Sequence, residues 1–165
     1  MDWFVRAFLK ASLAWFGAGV LLGLSMAVFP ELVAYRTTHL HINLLGFVGQ
    51  MIYAVSLHVV PRFFGHPLVY PKLGGTQFWL AQPGLVLLAG GFALRVTAAP
   101  GAYPAIVAGA VLSAAAAACY IVNVWATINA SAVRPLARGR PVPLRPQVDR
   151  KSTRLNSSHV ALSRM

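Results

Sequence analysis

The side chains that could do chemistry in this 165-residue chain are few: five histidines, one cysteine and three carboxylates. Three of the histidines, His39, His41 and His58, fall in one stretch, His39 to Phe63, reading HLHINLLGFVGQMIYAVSLHVVPRF. That stretch is apolar and long enough to cross a bilayer. An ionisable or metal-binding side chain inside such a span is costly and marks a functional site by default.

Helical geometry limits what these histidines can do together. Successive residues differ by about 100° and about 1.5 Å. His39 and His41 therefore point about 200° apart, to nearly opposite sides, and cannot share one metal. His41 and His58 are separated by about 25 Å along the axis. Each site can draw one ligand from this helix and must find the rest elsewhere. Zinc, which wants about four ligands, fits poorly. Haem iron needs only one or two axial protein ligands and fits well. Glu31 is the only carboxylate near the predicted spans, so catalysis by paired carboxylates is excluded. His41 lies deeper than His39 and is followed by Asn43, which favours it as a ligand; His39 stands at the helix end, where it can simply face water. His58, three residues before Pro61, reads as a helix-end residue bonded to a carbonyl or headgroup, with a ligand role second. His66 reads as solvated in a loop.

The elements that must position these residues are transmembrane helices. Hydrophobic residues make up 58% of the chain and charged residues only 10%, against about 25% charged in a soluble domain. Spans of about 20 apolar residues are predicted at about 7–29, 38–60, 76–96 and 103–128, the first ended by Pro30, the second by Pro61, and the third with Pro83 inside it. None alternates with strand period. Short connections make neighbours antiparallel, so the expected fold is all-α: an up-down four-helix membrane bundle over residues 1–133. The apolar N-terminal segment is too long for a signal h-region and reads as a retained first helix.

The formal charge of +11 is not a nucleic-acid signal, because the cations sit between apolar runs and in the tail rather than on a soluble face. Arg6, Lys10, Arg62, Lys72, Arg134, Arg138, Arg140 and Arg145 fall on one side of the bundle, and Arg36 and Arg95 on the other. The positive-inside rule then places both termini in the cytoplasm and His39 and His41 near the outer face. Gly19 and Gly23 form GxxxG on the first helix, a packing signal. Gln77, Gln82, Asn123 and Asn129 are expected to pair near His58 as structural glue. Cys119, alone in an apolar run, reads as a buried structural thiol. Residues 134–149 read as a basic Pro/Arg-rich tail of the kind that ends a membrane protein. Residues 150–165, RKSTRLNSSHVALSRM, resemble translated sequencing-adapter read-through and are read as an artefact; without them the formal charge is +7.

The second helix resembles helix two of subunit I of the haem-copper oxidase superfamily, most closely the C-type (cytochrome-cbb-like) oxidases and the nitric oxide reductase large subunit. The run His41-Ile42-Asn43-Leu44-Leu45 resembles the reductases' histidine-x-Asn-Leu-Leu opening, and Val59-Val60-Pro61-Arg62 resembles the helix exit. The likeness also covers short proteins described as oxidase subunit I-like. It implies a bacterial inner membrane, haem b, and an axial ligand at His41, with His39 second. It implies no oxidase activity for this stretch alone, since the later helices with the copper-ligating histidines are lacking and no copper is expected. A small four-helix relative is the expected product. Met26, near the outer end of helix one, is a candidate sixth ligand; a second copy of the chain or an open, gas-binding position are the alternatives. Partners are then the lipid bilayer and a homodimer or respiratory-complex subunits, in electron transfer, gas binding or complex assembly. The rival reading is a haem-free structural or assembly protein on the same scaffold.

Overall fold

The computed structural model describes residues 2–133, and the expectations for 134–149 and 150–165 lie outside the described residues. Helix α1 spans Trp3–Val28. A 3-10 turn, Pro30–Tyr35, opens the second span and leads into the short α2, Arg36–His41. A π-helical segment, Ile42–Gly49, then joins α2 to α3, Gln50–Phe63. Helix α4 spans Pro71–Val96 and α5 Ala102–Val133. Among the described residues there are no strands. Trp3–Val28, Pro30–Phe63, Pro71–Val96 and Ala102–Ala130 are each long and apolar enough to cross a membrane. The all-α four-span architecture expected from the sequence is what the chain adopts.

The bounds differ from the sequence estimate in instructive ways. Pro61 does not end the second span, which continues to Phe63. Pro61 removes one backbone bond from the helix, which runs only two residues beyond it. Pro30 and Pro71 start elements rather than follow them, as a residue with fixed φ and no N–H does at a first helical position. Asp2 stands directly before α1, so a second carboxylate, besides Glu31, lies at a span end.

The lipid-like exterior and the thin core follow from membrane packing. Leu21, Trp79, Val111 and Trp125 are all more than 60% exposed, as suits side chains that meet acyl tails. The larger buried cluster joins Phe4, Val5, Phe8, Ala54, Leu57, Leu68, Ala81 and Ala116. Edge-to-face contacts of Phe8 with Phe78 and Tyr53 tighten it. The smaller cluster, Ile42, Leu85 and Ala89, lies toward the His39 end. Helices α4 and α5 form the most extensive pair. They approach until a Cβ added at Gly109 would meet the backbone nitrogen of Leu88, while one at Gly84 would stand 2.9 Å from the Ser113 nitrogen. With no hydrophobic force between helices in lipid, this close backbone approach is the main source of association. Cys119 is partly exposed rather than buried.

Candidate functional site

The two histidines at the head of the second span are turned to different neighbours, as two-residue spacing on a helix requires. His39 faces α1. Its Cε1 lies 2.9 Å from where a Cβ on Gly23 would stand, and the Asn43 amide occupies the corresponding space at Gly19. The GxxxG motif of α1 is thus a two-part notch, with His39 seated in one half and Asn43 in the other. Asn43 Nδ2 donates to the His39 carbonyl oxygen at 2.9 Å and lies 3.3 Å from both His39 ring nitrogens. His39 is a packed, hydrogen-bonded brace between two helices.

His41 faces α4. Its ring stacks on Phe92, with centroids 4.7 Å apart and planes 24° apart. Its Nδ1 lies 2.8 Å from the carbonyl oxygen of Thr37. A carbonyl can only accept, so Nδ1 carries a proton, and in the neutral ring Nε2 then keeps its lone pair. Histidines that ligate metals commonly give their other ring N–H to a carbonyl in this way, which fixes tautomer and ring orientation. Between the two histidines, buried Thr38 donates from Oγ1 to the Ala89 carbonyl at 3.2 Å, tying α2 to α4 one turn before Phe92. Thr37 and Phe92, the two residues that hold His41, also line a cavity of about 340 Å³ with Ala34, Arg95 and Val96. That volume falls at the lower end of the range for small-molecule sites, roughly 300–1,000 Å³.

The π segment directly follows His41. Such widened turns are rare and occur mostly at functional sites. Its cause is local. In an i to i−5 pattern the carbonyl of Leu44 faces residue 49, and a Cβ there would stand 3.2 Å from that oxygen, so glycine suits the position. Gly46 is buried against Trp15 and Leu85. The Asn43 side chain bonds the His39 carbonyl where the backbone pattern changes.

Of the remaining predicted residues, Met26 lies at this end and the others do not. Met26 is three residues beyond Gly23 on α1, which puts it on the side of His39 and not on that of His41. His58 pairs with Arg62 Nη1 at the other end of the span, and Arg62 also donates to the His58 carbonyl at 3.3 Å. The polar residues expected to cluster with His58 divide instead. Gln82 pairs with Gln50 at 2.9 Å and accepts from Trp15 Nε1 at 3.3 Å. Asn123 and Thr127 accept from the backbone N–H groups of Tyr70 and Val69, pinning the loop before α4. Gln77 is fully buried, with neither amide atom hydrogen-bonded. Asn129 is exposed. His66 is not simply solvated: its Nδ1 bonds the Pro67 carbonyl at 2.9 Å and its Nε2 is buried without a partner. Among the described residues no three His, Cys, Asp or Glu side chains gather as a metal site. Sequence reading missed Phe92 and used Arg95 only for charge counting. Gln50 was legible as a lone polar residue in an apolar run but was passed over.

Fold and site together define a multi-pass helical membrane protein with two differently held histidines at the head of its second span. The chain matches the family model for cytochrome c and quinol oxidase polypeptide I over residues 4–143, and it belongs to that family. A search of curated proteins gives no match.

Proposed function

We propose that this chain is a haem b-binding member of the oxidase subunit I family, acting in electron transfer, gas binding or respiratory-complex assembly. The observation that carries the reading is the His41 geometry. A proton fixed on Nδ1 by Thr37 leaves Nε2 as the ligand atom, and Phe92 holds the ring against rotation. His41 is preferred over His39, whose ring nitrogens face Asn43 and whose ring fills the notch at Gly23. In this reading His41 would take the iron, and Phe92, Val96 and Arg95 of the neighbouring cavity, which His41 itself does not line, would offer the group an apolar wall and a cation. Haem, when bound, supplies an iron that cycles by one electron and can take a gas at an open position. The chain's own part is to orient the imidazole, to keep its tautomer, and to present an apolar wall with one cation at its edge. None of the residues lining the cavity is a further iron donor. Any second ligand would come from outside these lining residues.

The test is a reduced-minus-oxidised spectrum of protein purified from a haem-replete host. A b-type band that His41→Ala abolishes and His39→Ala retains is the expected result; no band in the parent protein sinks the proposal. The second reading, a haem-free scaffold or assembly protein in a membrane complex, is favoured by the tight seating of His39. It predicts full expression without haem and a folded His39→Ala/His41→Ala double variant.

A further inference from the structure

The end of the second span opposite His41 carries a different cavity, of about 400 Å³, whose lining includes Asp2, Leu57, His58, Arg62, His66 and Leu68. Its floor is apolar, since Leu57 and Leu68 are buried. Its polar groups are sorted by role. Arg62 is held by His58 through one guanidinium nitrogen, Nη1, and its other N–H groups have no partner among the described residues. The helix end behind it is closed by a turn in which Gly65 has φ +70° and the N–H of His66 donates to the Pro61 carbonyl at 3.1 Å. That turn folds His66 back. With Nδ1–H given to the Pro67 carbonyl at 2.9 Å, the buried and unpartnered Nε2 is an acceptor. Asp2 adds a carboxylate to the same lining. One cavity thus offers a strong cationic donor, an anionic acceptor and a buried ring nitrogen without a partner.

We infer that this cavity binds the headgroup of a zwitterionic phospholipid bearing a primary ammonium, of the phosphatidylethanolamine type. The phosphate meets the Arg62 guanidinium, for which charge-assisted N–H bonds to phosphate are the strong kind. The ammonium donates to Asp2 and to His66 Nε2. Placement agrees: the cavity sits at the end of an apolar span, where headgroups lie, and Phe63 beside it is 85% exposed, as an aromatic at the interface is. An anionic headgroup without an ammonium satisfies Arg62 but brings no cation of its own to the Asp2 carboxylate. The inference is independent of haem.

The experiment is lipid binding by native mass spectrometry of the delipidated full chain, titrated with phosphatidylethanolamine or phosphatidylglycerol. The parent protein is expected to prefer phosphatidylethanolamine about tenfold, the size of one hydrogen bond to a charged group. Arg62→Gln lowers binding of both lipids about tenfold. Asp2→Asn and His66→Phe each reduce the preference while leaving phosphatidylglycerol binding in place. Equal affinity of the parent for both lipids, or a preference that survives both Asp2→Asn and His66→Phe, overturns the assignment. Soluble phosphoethanolamine is the control for source: weaker binding than the lipid assigns the cavity to the membrane, and equal or tighter binding overturns a lipid occupant.

Discussion

Substituting Gly19 by alanine isolates what the notch on α1 does. An added Cβ would stand 2.6 Å from Asn43 Oδ1, 2.7 Å from Nδ2 and 2.9 Å from Cγ. All three distances are shorter than a Cβ tolerates, so the amide must leave. The losses are its bond to the His39 carbonyl, about 1 kcal/mol, and close packing, with overpacking strain of about 1–3 kcal/mol. Against them stands the gain from replacing glycine in a helix, about 0.5–1 kcal/mol. The net expectation is a destabilisation of about 1–3 kcal/mol. Gly17→Ala is the internal control: nothing lies within 4 Å of its Cβ, so only the helix gain of about 0.5–1 kcal/mol applies. The assay is reversible unfolding in mixed micelles followed by far-ultraviolet circular dichroism. A third variant closes the argument. In an Asn43→Ala background the obstruction is gone, and Gly19→Ala is expected to become neutral or stabilising. If Gly19→Ala stabilises as much as Gly17→Ala, or costs the same with and without Asn43, the notch is not what positions the head of the second span.

Other outcomes can be stated more briefly. Phe92→Ala removes the ring that holds His41 and is expected to weaken haem retention and broaden the spectrum while leaving helix content unchanged, read by haem titration and circular dichroism. Gln82→Leu strands the buried Gln50 amide and Gln50→Leu the partly buried Gln82 amide, so a double-mutant cycle should give a coupling of about 0.6–2 kcal/mol; additivity would show that the pair does not bond. Gly109→Val drives a side chain into the Leu88 backbone and is expected to part α4 from α5 at a cost of about 3 kcal/mol or more, seen as loss of the folded monomer in the same unfolding assay.

Architecture was readable from the sequence because membrane spans are written in run length and apolarity, which need no knowledge of neighbours. The opposed directions of His39 and His41 were equally readable, since two-residue spacing fixes them. What each histidine meets was not. Gly19 and Gly23 read as a packing surface, and the structure seats the Asn43 and His39 side chains of the second span there, a long-range pairing that no local pattern encodes. Met26 was placed by depth along α1, but depth says nothing of azimuth, and azimuth separates it from His41. The polar residues of α4 and α5 were grouped by depth in the same way and then divided between Gln50, the loop before α4 and the helix interior. The π segment left only a faint trace, the glycines at 46 and 49, which are common in membrane helices for other reasons.

That segment also makes the second span sensitive to length as much as to composition. Every residue ahead of Ile42 takes its heading from the turns between Ile42 and Gly49, while everything after Gln50 is held by the core around Phe8 and Leu57. Deleting one residue inside the segment would keep the span apolar and amply long. It would nonetheless swing its head by about 100°, taking His39 out of its seat and His41 off Phe92 in a single step. Relatives that differ by one residue here would share nearly all their letters and point different side chains at the same neighbours.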